Sequence, residues 1–286
     1  MWELLAAPFA ACVVLTGIHC YLGIHVVMRE VIFVDLALAQ IAALGAAAGT
    51  LFGFQPQTPQ AYACSLGFTF FGAAVFAVGR FRDRRVPQEA IIGIVYAVSS
   101  AVAILILSKI AIDRDEIENM LVGRLLFVDW PEVAKTLLIY AAVGGIHFAL
   151  RRRFFAISSS VEKARRQGLN VTLWDLVFYM TFGLVVTSSV QMAGVLLVFS
   201  FLVVPAVCAM MFFQSISSRL LAGWGFGLLS SVVGLWASAQ WDLPTGASVV
   251  AAFGVLLISC AIAYQVKNIM RRVSVTAASD RTDTRS

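Results

Sequence analysis

Four polar side chains sit inside long apolar runs, where hydrocarbon tolerates few. Asp35 lies in Val31-Ile-Phe-Val-Asp-Leu-Ala-Leu-Ala-Gln-Ile-Ala-Ala-Leu-Gly45, with Gln40 five residues on, and His19 and His25 belong to the preceding run. An ionised acid in a span costs about 2.5–3.5 kcal/mol on insertion scales, so Asp35 is expected to face protein or a water-filled path. It either binds or relays a cation, or is a structural acid hydrogen-bonded near the membrane surface. Arg29 and Glu30 mark a turn between the two runs, which makes the helices antiparallel. That sets His25 at a depth comparable to Asp35, and His19 closer to Gln40. A carboxylate and an imidazole facing each other across two helices form a donor set for a divalent metal ion or a proton relay. For each histidine and for Gln40 the alternative is a hydrogen bond between helices. At about 100° per residue Asp35 and Gln40 stand roughly 140° apart, so those two alone do not chelate.

Other polar residues read more plainly. His147 adjoins Arg151-Arg152-Arg153 and is expected at the membrane interface. Tyr96, Ser99 and Ser100 can line a pathway, although small hydroxyl residues also let helices pack closely. Cys12, Cys20, Cys64, Cys208 and Cys260 all fall in apolar segments without Cys-x-x-Cys spacing, and read as small buried hydrophobes. The chain has no Gly-x-x-x-x-Gly-Lys-Ser/Thr loop to cradle ATP phosphates, no His-Glu-x-x-His zinc motif and no Gly-x-Ser-x-Gly elbow. Any ATP hydrolysis therefore belongs to another polypeptide.

The elements that carry these residues are membrane spans. Sixty per cent of the 286 residues are hydrophobic, and runs of about 18–25 such residues cross the hydrocarbon as helices. Nine runs stand out, at 4–27, 31–53, 60–79, 89–110, 132–150, 171–190, 191–213, 219–239 and 245–266. The first two, and the pair meeting near Gln191, are close enough to be counted differently, which leaves eight or ten as alternatives. The fold class is an all-α polytopic bundle of eight to nine helices over residues 1–271, followed by a polar disordered tail at 272–286. The opening Met-Trp-Glu-Leu-Leu has no basic n-region, so the first run reads as a span and not as a cleavable signal.

Charge sets the orientation. With the first connection placed inside, the inner segments hold 17 of the 21 Lys and Arg; only Lys109, Arg114, Arg124 and Lys135 flank the loop after the fourth span, amid Asp113, Asp115, Glu116, Glu118, Asp129 and Glu132. Basic loops stay in the cytoplasm, so the N-terminus is expected outside and the C-terminus inside, in the plasma (inner) membrane. The net charge of +5 is already accounted for by these topology signals and calls for no nucleic-acid partner.

The segment Arg151–Asn170 is the clearest place for a soluble partner. A basic run leads to Ser158-Ser159-Ser160, a short polar helix over 161–167 and a stop at Gly168. Ser160 suits the helix N-cap. A short helix of this kind docks in a groove of a soluble protein; the alternative is a solvated loop.

Four segments resemble the permease subunit of the zinc, manganese and iron ABC importers. They are Arg29 to Gly45, similar to that family's second-helix segment with its Gly-Asp-x-Leu-x-His core; Glu89-Ala-Ile-Ile-Gly-Ile-Val-Tyr-Ala97; Met192-Ala-Gly-Val-Leu-Leu-Val-Phe-Ser-Phe-Leu-Val-Val-Pro-Ala206; and Asp242-Leu-Pro-Thr-Gly-Ala247. They come in family order across residues 10–266. The resemblance implies a homodimer with two cytoplasmic ATPase subunits and an extracytoplasmic metal-binding protein. The divalent ion would pass along the dimer interface by alternating access, with ATP held on the partner subunit and no cofactor on this chain, which is itself no enzyme. By position, Glu162, Arg165, Arg166 and Gly168 match the coupling region that seats on the ATPase, and Pro205 is expected to break its helix locally and serve gating. On the residues' own reading the metal donors are expected to be Asp35 and His25, with Gln40 and His19 on the same pathway.

In one respect the sequence departs from the family. Gln40 stands at the family's His position, Leu36 at its Asp position, and Asp35 at the neighbouring Gly. An amide is a poorer zinc ligand than imidazole, whereas an oxygen-rich site suits manganese or iron. The competing class is a secondary transporter with its own coupling-ion site, which often shows an inverted repeat; no clear repeat is present.

Overall fold

The computed structural model describes residues 2–55, 58–79, 87–108 and 124–283. Arg80, Arg82, Arg84 and Arg85, and Lys109, Asp113, Arg114, Asp115, Glu116 and Glu118, lie outside the described residues.

The described residues form helices α1 (Trp2–Met28), α2 (Val34–Leu51), α3 (Pro59–Val78), α4 (Gln88–Leu107), α5 (Trp130–Ser159), α6 (Val161–Arg166), α7 (Val171–Ala193), α8 (Val195–Phe212), α9 (Ile216–Trp241) and α10 (Thr245–Asp283), plus a 3-10 turn at Leu125–Phe127. All except α6 are long and apolar enough to cross a membrane, which gives nine spans among the described residues. The span count follows from breaks that local chemistry explains. After α1 the chain closes a Schellman turn: Val31 N–H donates to the Val26 carbonyl at 3.2 Å and Glu30 N–H to the Val27 carbonyl at 3.2 Å. Glu30 takes the left-handed conformation there, with φ 57°, which delays α2 until Val34. Gly194, at φ 78°, separates α7 from α8, and its freedom to adopt that angle makes the break. Asp242, also left-handed, ends α9, and Pro244 precedes α10.

The fifth span is longer than hydropathy suggests. Arg151, Arg152 and Arg153, all exposed, continue α5 to Ser159 and do not open a loop. Arg153 rests its guanidinium 4.5 Å from the Trp174 ring centre, so its charge stays solvated while its stem covers apolar surface. The last helix continues to Asp283, past the point where composition predicts a disordered tail. Extending a helix that a span has already nucleated costs little per residue. Helix α8 runs unbroken through Pro205. The proline removes one backbone donor but does not end the helix, so the expected break is no more than a missing hydrogen bond.

Helix α2 packs on α3 and α4, α3 on α7, and α1 on α5, α8 and α9, while α10 lies along α8 and α9. Phe178, Tyr179, Phe182, Phe76, Phe154 and Phe201 are buried at the centre. Close packing of α2 on α3 depends on Gly45. A Cβ there would come 2.8 Å from the Cys64 carbonyl oxygen, nearer than packed atoms approach.

Candidate functional site

Helix α2 begins at one end of the bundle without a side-chain cap of its own. The backbone N–H of Phe33 donates instead to Glu89 Oε1 at 3.1 Å, from the first turn of α4. Asp35 follows two residues later, 2% exposed, its carboxylate beside the N–H groups of Leu36 and of Asp35 itself and close to Glu89. Two carboxylates thus gather at the start of α2, where the unpaired N–H groups and the helix dipole favour negative charge. One oxygen of each, Asp35 Oδ1 and Glu89 Oε2, is buried and has no hydrogen-bond partner among the described residues. Leu36 and Gln40, four residues apart, share a half-buried face. Phe33, three residues before Leu36 and seven before Gln40, is 47% exposed and stacks on Phe199 of α8 at 6.3 Å.

The histidines lie elsewhere. His19 Nδ1 donates to the Leu15 carbonyl at 2.9 Å, and its Nε2 meets Ser189 Oγ at 3.0 Å. Ser189 in turn pairs with the Tyr140 hydroxyl. Both ring nitrogens are therefore engaged within the protein. His25 Nδ1 meets Ser158 Oγ at 2.8 Å, and the ring packs 4.2 Å from Phe155. No hydrogen bond or ion pair among the described residues joins Asp35 to His19 or His25, and no three His, Cys, Asp or Glu side chains converge as a metal cage. His147 is buried within the bundle: its Nε2 meets Thr181 Oγ1 at 2.8 Å and its ring stacks 4.5 Å from Phe154. Ser99 is buried while Tyr96 is 40% exposed.

Arg29 is the residue that hydropathy undersold. It reads as a topology charge, yet its side chain is fully buried and Nη1 donates to Asp175 Oδ1 at 2.7 Å. Arg29 Nε donates to Ser158 Oγ at 2.8 Å, and the guanidinium lies 3.9 Å from the Phe178 ring centre. A signal was present: Asp175 is an acid in the second turn of an apolar run, at the same end of the bundle as Arg29. These contacts set the ends of α1 and α5 and the starts of α2, α4 and α7 side by side.

The same end carries α6. Ser160 caps it by accepting the Lys163 N–H at 3.3 Å, and Asn170 caps α7 by accepting the Leu173 N–H at 3.1 Å. Gly168, at φ 79°, closes α6 with Leu169 N–H on the Ala164 carbonyl at 3.1 Å. Ala164 is buried against Ile157 and Val171, while Glu162, Lys163, Arg165, Arg166, Gln167 and Gly168 are exposed. A short helix seated by one apolar contact thus presents a polar, mainly basic face outward. At the opposite end a cavity of about 210 Å³ is lined by Arg124, Asp129, Glu132, Gln191 and Met192 among others.

The sequence matches the ABC 3 transport family over residues 1–264, and the chain belongs to that family, as its four landmark segments suggested. Among curated proteins it is similar to the manganese transport system membrane protein MntC of Listeria innocua, 27% identical with 65% of this chain and 69% of that one covered. It is also similar to the high-affinity zinc uptake system membrane protein ZnuB of Haemophilus influenzae, at 25% identity with 90% and 97% covered. Among solved structures it shares its fold with PsaBC from Streptococcus pneumoniae in complex with Fab, at a TM-score of 0.75, 19% identity and 90% coverage of both chains. A putative metal-chelate type ABC transporter in an inward-facing conformation gives a TM-score of 0.65, 19% identity, and 90% and 88% coverage.

Proposed function

We propose that the chain is the membrane permease of an ATP-driven importer of a divalent transition metal ion. The observation that carries this reading is a family match across nearly every span together with an exposed basic helix, α6, capped by Ser160 between two spans. In this reading two copies face each other and the ion passes between them. Two cytoplasmic ATPase subunits engage α6 through Glu162, Arg165, Arg166 and Gly168, and an extracytoplasmic metal-binding protein docks at the cavity end. The N-terminus lies outside and the C-terminus inside.

The half-exposed face of α2 supports a path along the dimer interface, because Gln40 stands there with Leu36. Asp35 and Glu89 place two carboxyl groups at the exit end of that path, whose ionisation in the presence of a passing cation lowers its electrostatic cost. The donors offered are carboxylate and amide oxygens, which suit manganese or iron better than zinc. His19 serves packing, since both its nitrogens are occupied. His25 faces Ser158 and α5, so its effect on the ion is indirect. Pro205, by sparing one hydrogen bond in α8, leaves a compliant point at which that helix can bend during alternating access.

Purification from native membranes with mass spectrometry of co-purifying proteins tests this reading. An ATPase with a phosphate-binding loop, in about equal amount to the permease, supports it. A permease that purifies without any ATPase refutes it in favour of a secondary transporter.

A further inference from the structure

The Arg29 cluster is costly for a membrane protein. An arginine and an aspartate, both with fully buried side chains, give up hydration that their attraction does not fully return, and an apolar pair of similar volume would serve stability as well. Stability therefore does not explain why the cluster is present. Its connections offer a reason. Ser158 is two residues before Ser160, the cap that starts α6, and Asp175 lies in the second turn of α7, five residues after its cap, Asn170. Both flanks of segment 160–170 thus converge on one guanidinium. That guanidinium is fixed in orientation by three contacts: Nε–H on Ser158, Nη1–H on Asp175, and its face on Phe178.

On its other side Arg29 leads directly into the turn that starts α2. Glu30 is held left-handed, Val31 N–H is tied back to the Val26 carbonyl, and Val34 N–H reaches the Val31 carbonyl at 3.2 Å. A turn closed by bonds in both directions transmits displacement and does not absorb it. Phe33 in that turn is tied across to Glu89 of α4, and Asp35 follows. A continuous chain of short contacts therefore runs from the exposed face of α6 to the two carboxylates.

We propose that Arg29 is a positioning residue: the pin through which the α6 segment sets the position of the α1–α2 turn, and with it the carboxylates at the head of α2. This rests on the reading of α6 as the ATPase-coupling segment. When the ATPase moves α6, Ser158 and Asp175 move together and carry Arg29 with them, so the mouth of α2 shifts in step. Both arms of the pin act through one residue, so removing the second after the first should add little.

The test uses the intact permease–ATPase complex in lipid vesicles, reading manganese ions carried per ATP hydrolysed, beside the amount of assembled complex. Asp175→Asn removes the charge of one arm, and Ser158→Ala removes the other arm while leaving the ion pair intact. Each is expected to lower ions per ATP about ten-fold, with hydrolysis and assembly retained. The double variant is expected to be no worse than the poorer single one. If Asp175→Asn does not accumulate, Ser158→Ala decides alone. Unchanged ions per ATP in the assembled variants, or a loss wholly explained by less complex, overturns the pin and leaves the coupling reading standing. Absence of any ATPase from the wild-type preparation overturns the coupling reading and this proposal with it.

Discussion

Glu89, in the first turn of α4, accepts the backbone N–H of Phe33 at 3.1 Å and so caps α2 from a neighbouring helix. The second landmark segment, Glu89 to Ala97, thereby meets the first, Arg29 to Gly45, and two stretches far apart in sequence specify one helix start. Glu89→Ala should lose about 1 kcal/mol, the usual worth of a cap. Glu89→Gln keeps an acceptor oxygen and should lose much less. Thermal unfolding of the purified permease in detergent checks this, and equal losses for both variants would show that Glu89 does not act as the cap.

Asp35→Asn removes the buried acid beside that cap while keeping the side chain's volume. Uptake is expected to fall about ten-fold, with the same amount of chain in the membrane and the same amount of bound ATPase. Disappearance of the chain from the membrane would mark Asp35 as a structural acid only.

Gly168 closes α6 in a left-handed conformation, which a side chain adopts at a cost of about 1–2 kcal/mol. The double variant Arg165→Ala, Gly168→Ala alters both the face and the seat of α6. ATP hydrolysis is expected to continue while transport declines; coupled transport at the wild-type ratio would rule out α6 as the contact.

His19 is bonded at both nitrogens, and its partner Ser189 also holds Tyr140. His19→Ala removes two buried hydrogen bonds, of about 1 kcal/mol each, and leaves the space of a fully buried ring unfilled. Thermal stability should drop while the order of preference among manganese, iron and zinc in uptake assays stays the same. A changed order would return His19 to the pathway.

Hydropathy and punctuation carried the architecture. The runs around residues 60–79, 89–110 and 171–190 foretell α3, α4 and α7 within a few residues, because hydrocarbon thickness leaves helices little choice. The start of α2 was harder, since the Schellman turn at Glu30 uses a residue with no turn preference in place of glycine. The polar site was only partly legible. Asp35 stood out because an acid in a span is rare. Its neighbour Glu89 and the Arg29–Asp175 pair depend on which helices touch, and a pairing across 146 residues leaves no local pattern. The contacts of His25 were illegible for the same reason, and no hydrogen bond among the described residues joins it to Asp35. Equal depth on antiparallel helices does not fix rotation, and the aromatic packing of His25 on Phe155 and Tyr21 turns it toward α5.

The most direct measurement is accumulation of radioactive manganese by vesicles containing the purified complex, loaded with ATP on the α6 side and supplied with the metal on the other. The account predicts accumulation that needs hydrolysable ATP and stops when the ATPase is inactivated. Accumulation that persists without ATP, driven by an ion gradient alone, would contradict it.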